Sequence, residues 1–182
     1  MNIYAVRQDN YKYRDLDLHV DDFIEAFPEK YTLQDCMRFS ESNIALSSFW
    51  PAMQTEFLPG EEGGDLIPGI TTWMNATLLL SPQAHRLLED LMKPWGEFLP
   101  IVVSDQHYQI FNCLNMVDAV KEESVVNEKL VFTNKNIGES LLFKSPFQCC
   151  MDTYCTERFR QAVESFELNG LVFDTNLASP FA

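Results

Sequence analysis

The segment from residue 77 to residue 120 constrains the fold most, because it predicts a strand, a helix and a β-hairpin in direct succession. The apolar run Thr77–Leu80 predicts the strand. Ser81 and Pro82 predict the helix start, since a serine oxygen can accept a hydrogen bond from a free amide and proline suits the first helical turn. Pro94 marks the end of this helix.

The helix has an apolar face, and two β-type runs follow it. The runs Phe98–Val103 and Tyr108–Leu114 are separated by the turn-forming pair Ser104–Asp105. This unit predicts the core of the fold. The apolar residues at helical spacing are Ala84, Leu87, Leu88, Leu91 and Met92.

Shorter elements are predicted before this unit. Asn2–Val6 predicts a first strand, and a short helix beginning near Asp21 would bring Phe23, Ile24 and Phe27 together. Tyr31–Phe39 is interpreted as a strand. Ile70–Leu80 is predicted to be extended chain, with Trp73 as a core residue.

After the central unit, short strands are predicted at Leu130–Thr133 and Leu141–Lys144. A cap at Asp152 or Thr153 predicts a C-terminal helix whose apolar face includes Phe159 and Phe166. The pair Asn169–Gly170 ends that helix, and Leu171–Phe173 returns as a strand.

The length of the chain allows one domain, since 182 residues with 46% hydrophobic side chains suffice for one core and are few for two. We predict a single compact α+β domain over residues 1–182, mostly an antiparallel β-sheet with a central helix and a C-terminal helix packed on it. Residues 71–174 are its better-defined core. Residues 1–70 form a less determined N-terminal section, and residues 58–69, rich in glycine and proline, are predicted to be an exposed loop.

An excess of negative charge narrows the classes of partner. The formal net charge is −14 and the pI is near 4.4. Nucleic-acid binding needs a basic surface and is not predicted. This charge is consistent with a basic protein partner. It is equally consistent with an acidic surface whose only effect is to keep the protein soluble. With no apolar run near the roughly 20 residues of a membrane helix and no signal-peptide pattern, we expect a cytoplasmic protein without a membrane partner.

No motif predicts catalysis, a metal site or a cofactor. The histidines, His19, His85 and His107, lack the spacing of a zinc protease, and the cysteines form no CxxC pair. His107 and Cys113 are the one candidate dyad, and their positions on a turn and a strand argue against it. We interpret the cysteines as buried free thiols of a reducing compartment. They are Cys36, Cys113, Cys149, Cys150 and Cys155.

Several segments occur in an informative order. They are NIYAV, the central Trp73, an apolar strand before SPQAHRLLEDL, then EFLPIVV, HYQIFNCLNMVDAV with Asp118, and FKSPFQCCMDTYCTERFRQAVESFELNGLVF. In this order they resemble a bacterial immunity-protein family that is typified by a myxobacterial immunity protein and found beside polymorphic, contact-delivered toxins. The match covers roughly residues 73–173. The run CCMDTYC departs from the more aliphatic segment of that family.

The resemblance implies a protein that is not an enzyme and that binds and neutralises a cognate toxin encoded by an adjacent gene. The matching residues Leu91, Tyr108, Asp118 and Gly170 are then fold determinants. An acidic inhibitor surface would suit a toxin with a basic cleft, such as a nuclease.

We place the toxin-binding surface on two acidic groups. The first is Asp15, Asp17, Asp21, Asp22 and Glu25, and the second is the loop group Glu61, Glu62 and Asp65. Two alternatives remain open at this point. One is a small hydrolase with a Cys or Asp nucleophile, which needs a pocket of groups with shifted pKa values. The other is an acidic adaptor with a non-toxin partner.

Overall fold

Strands and helices follow one another in short segments through residues 2–60 and 62–178, which the computed structural model describes. The strands are β1 (Ile3–Gln8), β2 (Asp15–Leu16), β3 (Gln54–Thr55), β4 (Phe57–Leu58), β5 (Ile70–Thr72), β6 (Thr77–Leu80), β7 (Gly96–Val103), β8 (Gln106–Cys113), β9 (Leu142–Phe143), β10 (Tyr154–Thr156) and β11 (Leu171–Asp174). The α-helices are α1 (Leu33–Met37), α2 (Pro82–Met92), α3 (Asn134–Ile137) and α4 (Glu157–Ser165). Single 3-10 turns lie at Val20–Asp22, Ile24–Ala26, Lys93–Trp95 and Pro146–Gln148.

The predicted strand–helix–hairpin unit forms the middle of a five-stranded sheet of order β3-β7-β8-β6-β5. Strands β7 and β8 pair antiparallel from Gly96 opposite Cys113 to Val103 opposite Gln106. The two turn residues, Ser104 and Asp105, both have positive φ, as a tight hairpin turn of the matching twist requires. Only β3 joins this sheet in parallel.

Helix α2 begins as its sequence predicts. The Ser81 Oγ accepts a hydrogen bond from the Ala84 amide at 3.2 Å, and the helix ends two residues before Pro94. Its buried face consists of Ala84, Leu88 and Met92, which pack in one cluster with β6 and β8.

A second sheet, of order β11-β1-β10-β9, joins the two ends of the chain. Strand β1 lies between β10 and β11 and pairs antiparallel with both. Helix α4 buries Phe159 and Val163 in the same cluster that receives Leu88 of α2. The two sheets and both helices therefore share a core, and the predicted single compact α+β domain with mostly antiparallel sheets is confirmed.

The N-terminal section covers the other face of the five-stranded sheet. Phe23, Phe39 and Leu46 pack there against Leu99 and Ile110. Strand β6 is buried along its whole length because both of its faces are covered. The helices of the described ranges are too short and too polar to span a bilayer.

Three predictions for the N-terminal half are wrong in detail. Tyr31–Phe39 is not a strand but contains α1, because Thr32 and Asp35 form a reciprocal capping box that favours a helix start. The helix expected near Asp21 is a pair of 3-10 turns. Ile70–Leu80 is not continuous but folds into the β5–β6 hairpin, with Asn75 at φ +51° in its turn.

In the C-terminal half, the strands and helices begin and end at residues other than those predicted. Residues Tyr154–Thr156 pair with β1, so the last helix starts at Glu157 and not at the expected cap. The helix ends at Ser165, four residues before Asn169. Leu130–Thr133 is not a strand, and the Thr133 side chain caps α3 by accepting a hydrogen bond from the Asn136 amide at 3.2 Å.

Candidate functional site

Residues 15–25 place acidic side chains on a base of buried apolar ones. Leu18, Val20 and Phe23 are buried in the N-terminal cluster. Exposed carboxylates lie before, between and after them in the chain. We call these four exposed residues the acidic face: Asp17, Asp21, Asp22 and Glu25.

The base of the acidic face is held by aromatic contacts. The Phe23 ring centroid lies 4.9 Å from that of Trp50 and 6.1 Å from that of Trp73. The Trp73 indole Nε1–H donates a 2.8 Å hydrogen bond to the carbonyl oxygen of Leu18. Core contacts therefore hold the backbone under the acidic face, together with the hydrogen bond that the Asp22 carboxylate accepts from the His19 amide.

The loop group of the predicted surface lies next to Asp15. Strands β2 and β4 pair Asp15 with Leu58, and the Lys12 carbonyl oxygen accepts hydrogen bonds from the amides of Asp65 and Leu66. The structure thus brings Asp15 and Asp65 to adjacent segments. Glu61, also predicted here, lies outside the described residues.

Two glycines allow this loop to approach residue 13 closely. A Cβ atom at Gly60 or at Gly64 would lie 2.4 Å from the Tyr13 carbonyl oxygen, which is closer than real Cβ atoms come. The predicted loop is exposed over most of its length, but these glycines are buried and Leu58 belongs to β4.

Three of the predicted binding residues already have intramolecular partners. The Asp22 carboxylate accepts a 2.7 Å hydrogen bond from the His19 amide, and Asp65 forms an ion pair with Arg14. Asp15 accepts a hydrogen bond from the Gln8 side chain.

The other described members of the predicted surface are exposed: Asp17, Asp21, Glu25 and Glu62. Within residues 2–60 and 62–178, Asp21, Glu25 and Glu62 form no ion pair, and Asp17 lies 3.9 Å from His19, which pairs with it only when the imidazole is protonated. Sequence reasoning missed Glu56, which is exposed and whose carbonyl oxygen accepts a hydrogen bond from the Asp17 amide at 3.0 Å. No local signal marks it, because β2 and β4 are two-residue strands about forty positions apart.

A cavity of about 560 Å³ opens beside the acidic face, where the end of β1 meets the β5–β6 turn and residues 151–153. Arg7 and Asp152 form an ion pair in its lining, with only 11% and 20% of their side chains exposed. Burial raises the pKa of Asp152, and the neighbouring Arg7 guanidinium opposes that rise. The sequence gives no sign of this pair, since 145 positions separate its members.

The cavity is bordered by exposed apolar side chains and continues toward the acidic face. Tyr11, Met151 and Val172 line it and are 75%, 57% and 41% exposed. A second depression of about 490 Å³ shares Trp73 with it and reaches Asp15. The two depressions therefore adjoin at Trp73, and the second is lined by Leu18 and His19 at the base of the acidic face.

His19 lines the second depression, and no other cysteine or histidine of the described residues lines either one. Cys36, Cys113, Cys150 and Cys155 are buried free thiols as predicted, whereas Cys149 is exposed. Burial raises the pKa values of Cys113 and Cys150 to about 11, which disfavours the nucleophilic thiolate. Exposed His107 and buried Cys113 stand near opposite ends of β8, roughly 20 Å apart at about 3.3 Å per residue.

Metal ligands are not grouped either in the ranges described. Among residues 2–60 and 62–178, no three His, Cys, Asp or Glu side chains are arranged to hold a metal ion.

One buried lysine lies outside both depressions. Lys144 donates a hydrogen bond to the Ser40 carbonyl oxygen and belongs to the packing of the N-terminal section.

Comparison with known proteins adds no family to this description. No protein-family model matches the chain, and no curated protein matches its sequence.

Proposed function

We propose that this protein is an immunity protein that binds and neutralises a cognate, basic toxin through the acidic face, and that it is not an enzyme. The observation that carries the proposal is the acidic face itself, where Asp21 and Glu25 project from a backbone held by buried Phe23. A surface that is already ordered loses little conformational entropy on binding. Its negative field speeds the approach of a basic partner and disfavours acidic ones.

Exposed apolar side chains next to these charges support a protein partner. Leu58, Leu66 and Ile67 of the loop are 47%, 58% and 49% exposed, and the loop runs beside Asp15. Stable protein interfaces combine apolar anchors, which supply affinity, with charged side chains at the rim, which set on-rate and specificity. The loop and the acidic face together have this composition.

The hydrolase alternative is less well supported by the same residues. A cysteine nucleophile would need a low thiol pKa, and burial raises that of Cys113 and Cys150 instead. An aspartate nucleophile would need to be free and ionised, whereas Asp152 is paired with Arg7 and its pKa is raised by burial. The adaptor alternative uses the same acidic face and differs only in the identity of the partner.

The proposal places the protein in the cytoplasm, as the product of a gene next to that of a large toxin. The test is to co-express the full chain with the C-terminal domain encoded by that neighbouring gene. We expect the two to co-purify and the toxin-producing cells to resume growth. Loss of both results, together with turnover of a substrate by the purified chain, would overturn the proposal in favour of an enzyme.

A further inference from the structure

The cavity beside the acidic face has a charge pattern of its own. Three carboxylates line it, from Asp9, Glu62 and Asp152, against one guanidinium, that of Arg7. That guanidinium is already bound to Asp152. Asp9 forms an ion pair with Lys12 at 3.1 Å, and the Lys12 side chain is 66% exposed. Three carboxylates against two cations leave one net negative charge, and an exposed lysine is easily displaced, so the cavity favours a cationic ligand over an anionic one.

The apolar side chains of the cavity determine the shape of such a cation. Tyr11, Met151 and Val172 are exposed at its border, and the Trp73 indole forms part of its wall. A bare ion would gain nothing from the aliphatic surfaces of Met151 and Val172. A cation on an aliphatic stem can lay the stem along them and carry its head to the carboxylates, as long basic side chains do on protein surfaces. Aromatic rings such as those of Tyr11 and Trp73 also attract cations.

The volume of the cavity fits a ligand of this kind. About 560 Å³ lies within the range of small-molecule sites, which is roughly 300–1,000 Å³. The buried Arg7–Asp152 pair, with 11% and 20% of the side chains exposed, makes one part of the lining rigid and polar.

We propose that this cavity binds an extended cation, an alkylguanidinium or alkylammonium group carried on an apolar stem. Two sources have this chemistry: the arginine or lysine side chain of a protein partner, and a free aliphatic amine. The site does not depend on the immunity function. If the source is a partner's side chain, the adjoining depression, which Leu18 and His19 line, places the cavity close to the base of the acidic face.

The test uses small probes on the full chain. Nα-acetyl-arginine N-methylamide is titrated against the protein while the indole Nε1–H signal of Trp73 and the amide signals of residues 7–11 and 151–153 are followed by NMR. The Trp73 indole signal is assigned with Trp73→Phe. The matched control is the citrulline analogue, which has the same shape without the charge.

We expect the arginine probe to shift these signals and to bind at least about tenfold more tightly than the citrulline probe. Agmatine distinguishes the sources. If agmatine binds at least as well, the source is a free amine, and if only the blocked arginine binds, the source is a side chain of a polypeptide. Equal binding of the arginine and citrulline probes, shifts confined to other residues, or no shift at all would overturn the proposal.

A variant keeps the proposal testable without disturbing the buried ion pair. Asp9→Asn with Glu62→Gln removes two of the three carboxylates, releases Lys12 from its ion pair with Asp9, and leaves Arg7 with Asp152. We expect this double variant to bind the arginine probe about tenfold more weakly than the parent protein. Glu122→Gln with Glu123→Gln, which removes the same charge from the exposed 121–129 connector, should bind it as the parent does. Unchanged binding by the cavity variant would also overturn the proposal.

Discussion

The Lys144 ammonium nitrogen lies 2.7 Å from the carbonyl oxygen of Ser40, although both residues are buried. The Ser40 hydroxyl in turn donates to the Cys150 carbonyl oxygen at 3.0 Å. The segment after α1 is therefore joined to β9 and to the segment before β10 by polar contacts inside the protein. Burial lowers the pKa of Lys144, because a charged ammonium loses its hydration there.

A second, partly buried connection involves the segment just after Ser40. One Glu97 carboxylate oxygen accepts hydrogen bonds from the Leu46 amide at 2.5 Å and the Asn112 side chain at 2.8 Å, and the other accepts from the Ser47 amide at 3.1 Å. The Asn112 amide also donates to the Ile44 carbonyl oxygen at 3.0 Å. The N-terminal section is thus attached to β7 and β8 through Glu97 and Asn112, and to the residues after β9 and before β10 through Ser40.

Removing the Glu97 carboxylate should destabilise the whole domain. Glu97→Ala leaves three donors without their acceptor, two of them amides of the N-terminal section. We expect a loss of about 2–3 kcal/mol in the free energy of unfolding, measured by urea denaturation. Glu97→Gln keeps an acceptor oxygen and should lose less. Equal stability of the alanine variant and the parent would mean that these contacts do not hold the section.

Because several thiols are buried, we predict that the free energy of unfolding falls at alkaline pH. Burial raises the pKa values of Cys113 and Cys150 to about 11, whereas thiols of an unfolded chain release their protons near pH 8.5. Between these values the unfolded chain binds fewer protons than the folded one, so the free energy of unfolding falls as pH rises. The lowered pKa of Lys144 acts in the opposite direction, because there the unfolded chain binds more protons.

The thiol effect should prevail, because more than one buried thiol opposes one buried lysine. A fully buried thiol such as Cys113 contributes about 3 kcal/mol that is present below about pH 8.5 and lost toward about pH 11. Urea denaturation at several values in this window measures the slope. Cys113→Ala should make it shallower. A free energy of unfolding that rises through this window would contradict the prediction.

The elements predicted correctly are those with signals inside a short stretch of sequence. Helix α2 has its serine cap, its apolar spacing and the proline after it, and the β7–β8 hairpin has two turn residues between apolar runs. The prediction of a strand at Tyr31–Phe39 is wrong although a local signal for a helix is present there. The spacing of Thr32 and Asp35 is that of a capping box, and it outweighed the β-type side chains around it.

The remaining features depend on contacts between distant parts of the chain. Tyr154–Thr156 becomes a strand because β1 pairs with it, and this pairing delays the start of α4. Arg7 and Asp152 meet for the same reason, since they lie at the ends of segments brought together by that sheet. The acidic side chains were readable from the sequence, but which of them have intramolecular partners was not.

The close approach of the 58–69 loop to Tyr13 predicts that Gly64 does not tolerate a side chain. A Cβ atom there would lie 2.4 Å from the Tyr13 carbonyl oxygen and 2.6 Å from its amide nitrogen, and a backbone cannot move aside as a flexible side chain can. We expect Gly64→Ala to lose about 1–3 kcal/mol in the free energy of unfolding. Glu62→Ala, an exposed neighbour, should change it by less than about 0.5 kcal/mol. A stable Gly64→Ala protein would show that the loop does not approach Tyr13 closely.

Charge reversal on the acidic face tests the proposed interface, and the structure determines which residues to change. Asp22 accepts a hydrogen bond from the His19 amide, so its replacement would alter the backbone as well as the charge. Asp21→Lys with Glu25→Lys changes charge alone, because neither side chain has an ion-pair partner in the described ranges. We expect this variant to associate with the toxin at least about tenfold more slowly, and with less dependence on salt, because steering by opposite charge is lost.

The matched control for this prediction is Glu122→Lys with Glu123→Lys, which changes the net charge equally at exposed positions in the 121–129 connector. Association measured by surface plasmon resonance at several salt concentrations separates a local effect from one of total charge. If both variants slow association equally, net charge and not the acidic face determines the encounter. If neither slows it, the toxin binds elsewhere, and the exposed apolar loop residues Leu66 and Ile67 become the surface to mutate next. Only a defect confined to the Asp21 and Glu25 variant supports the assigned interface.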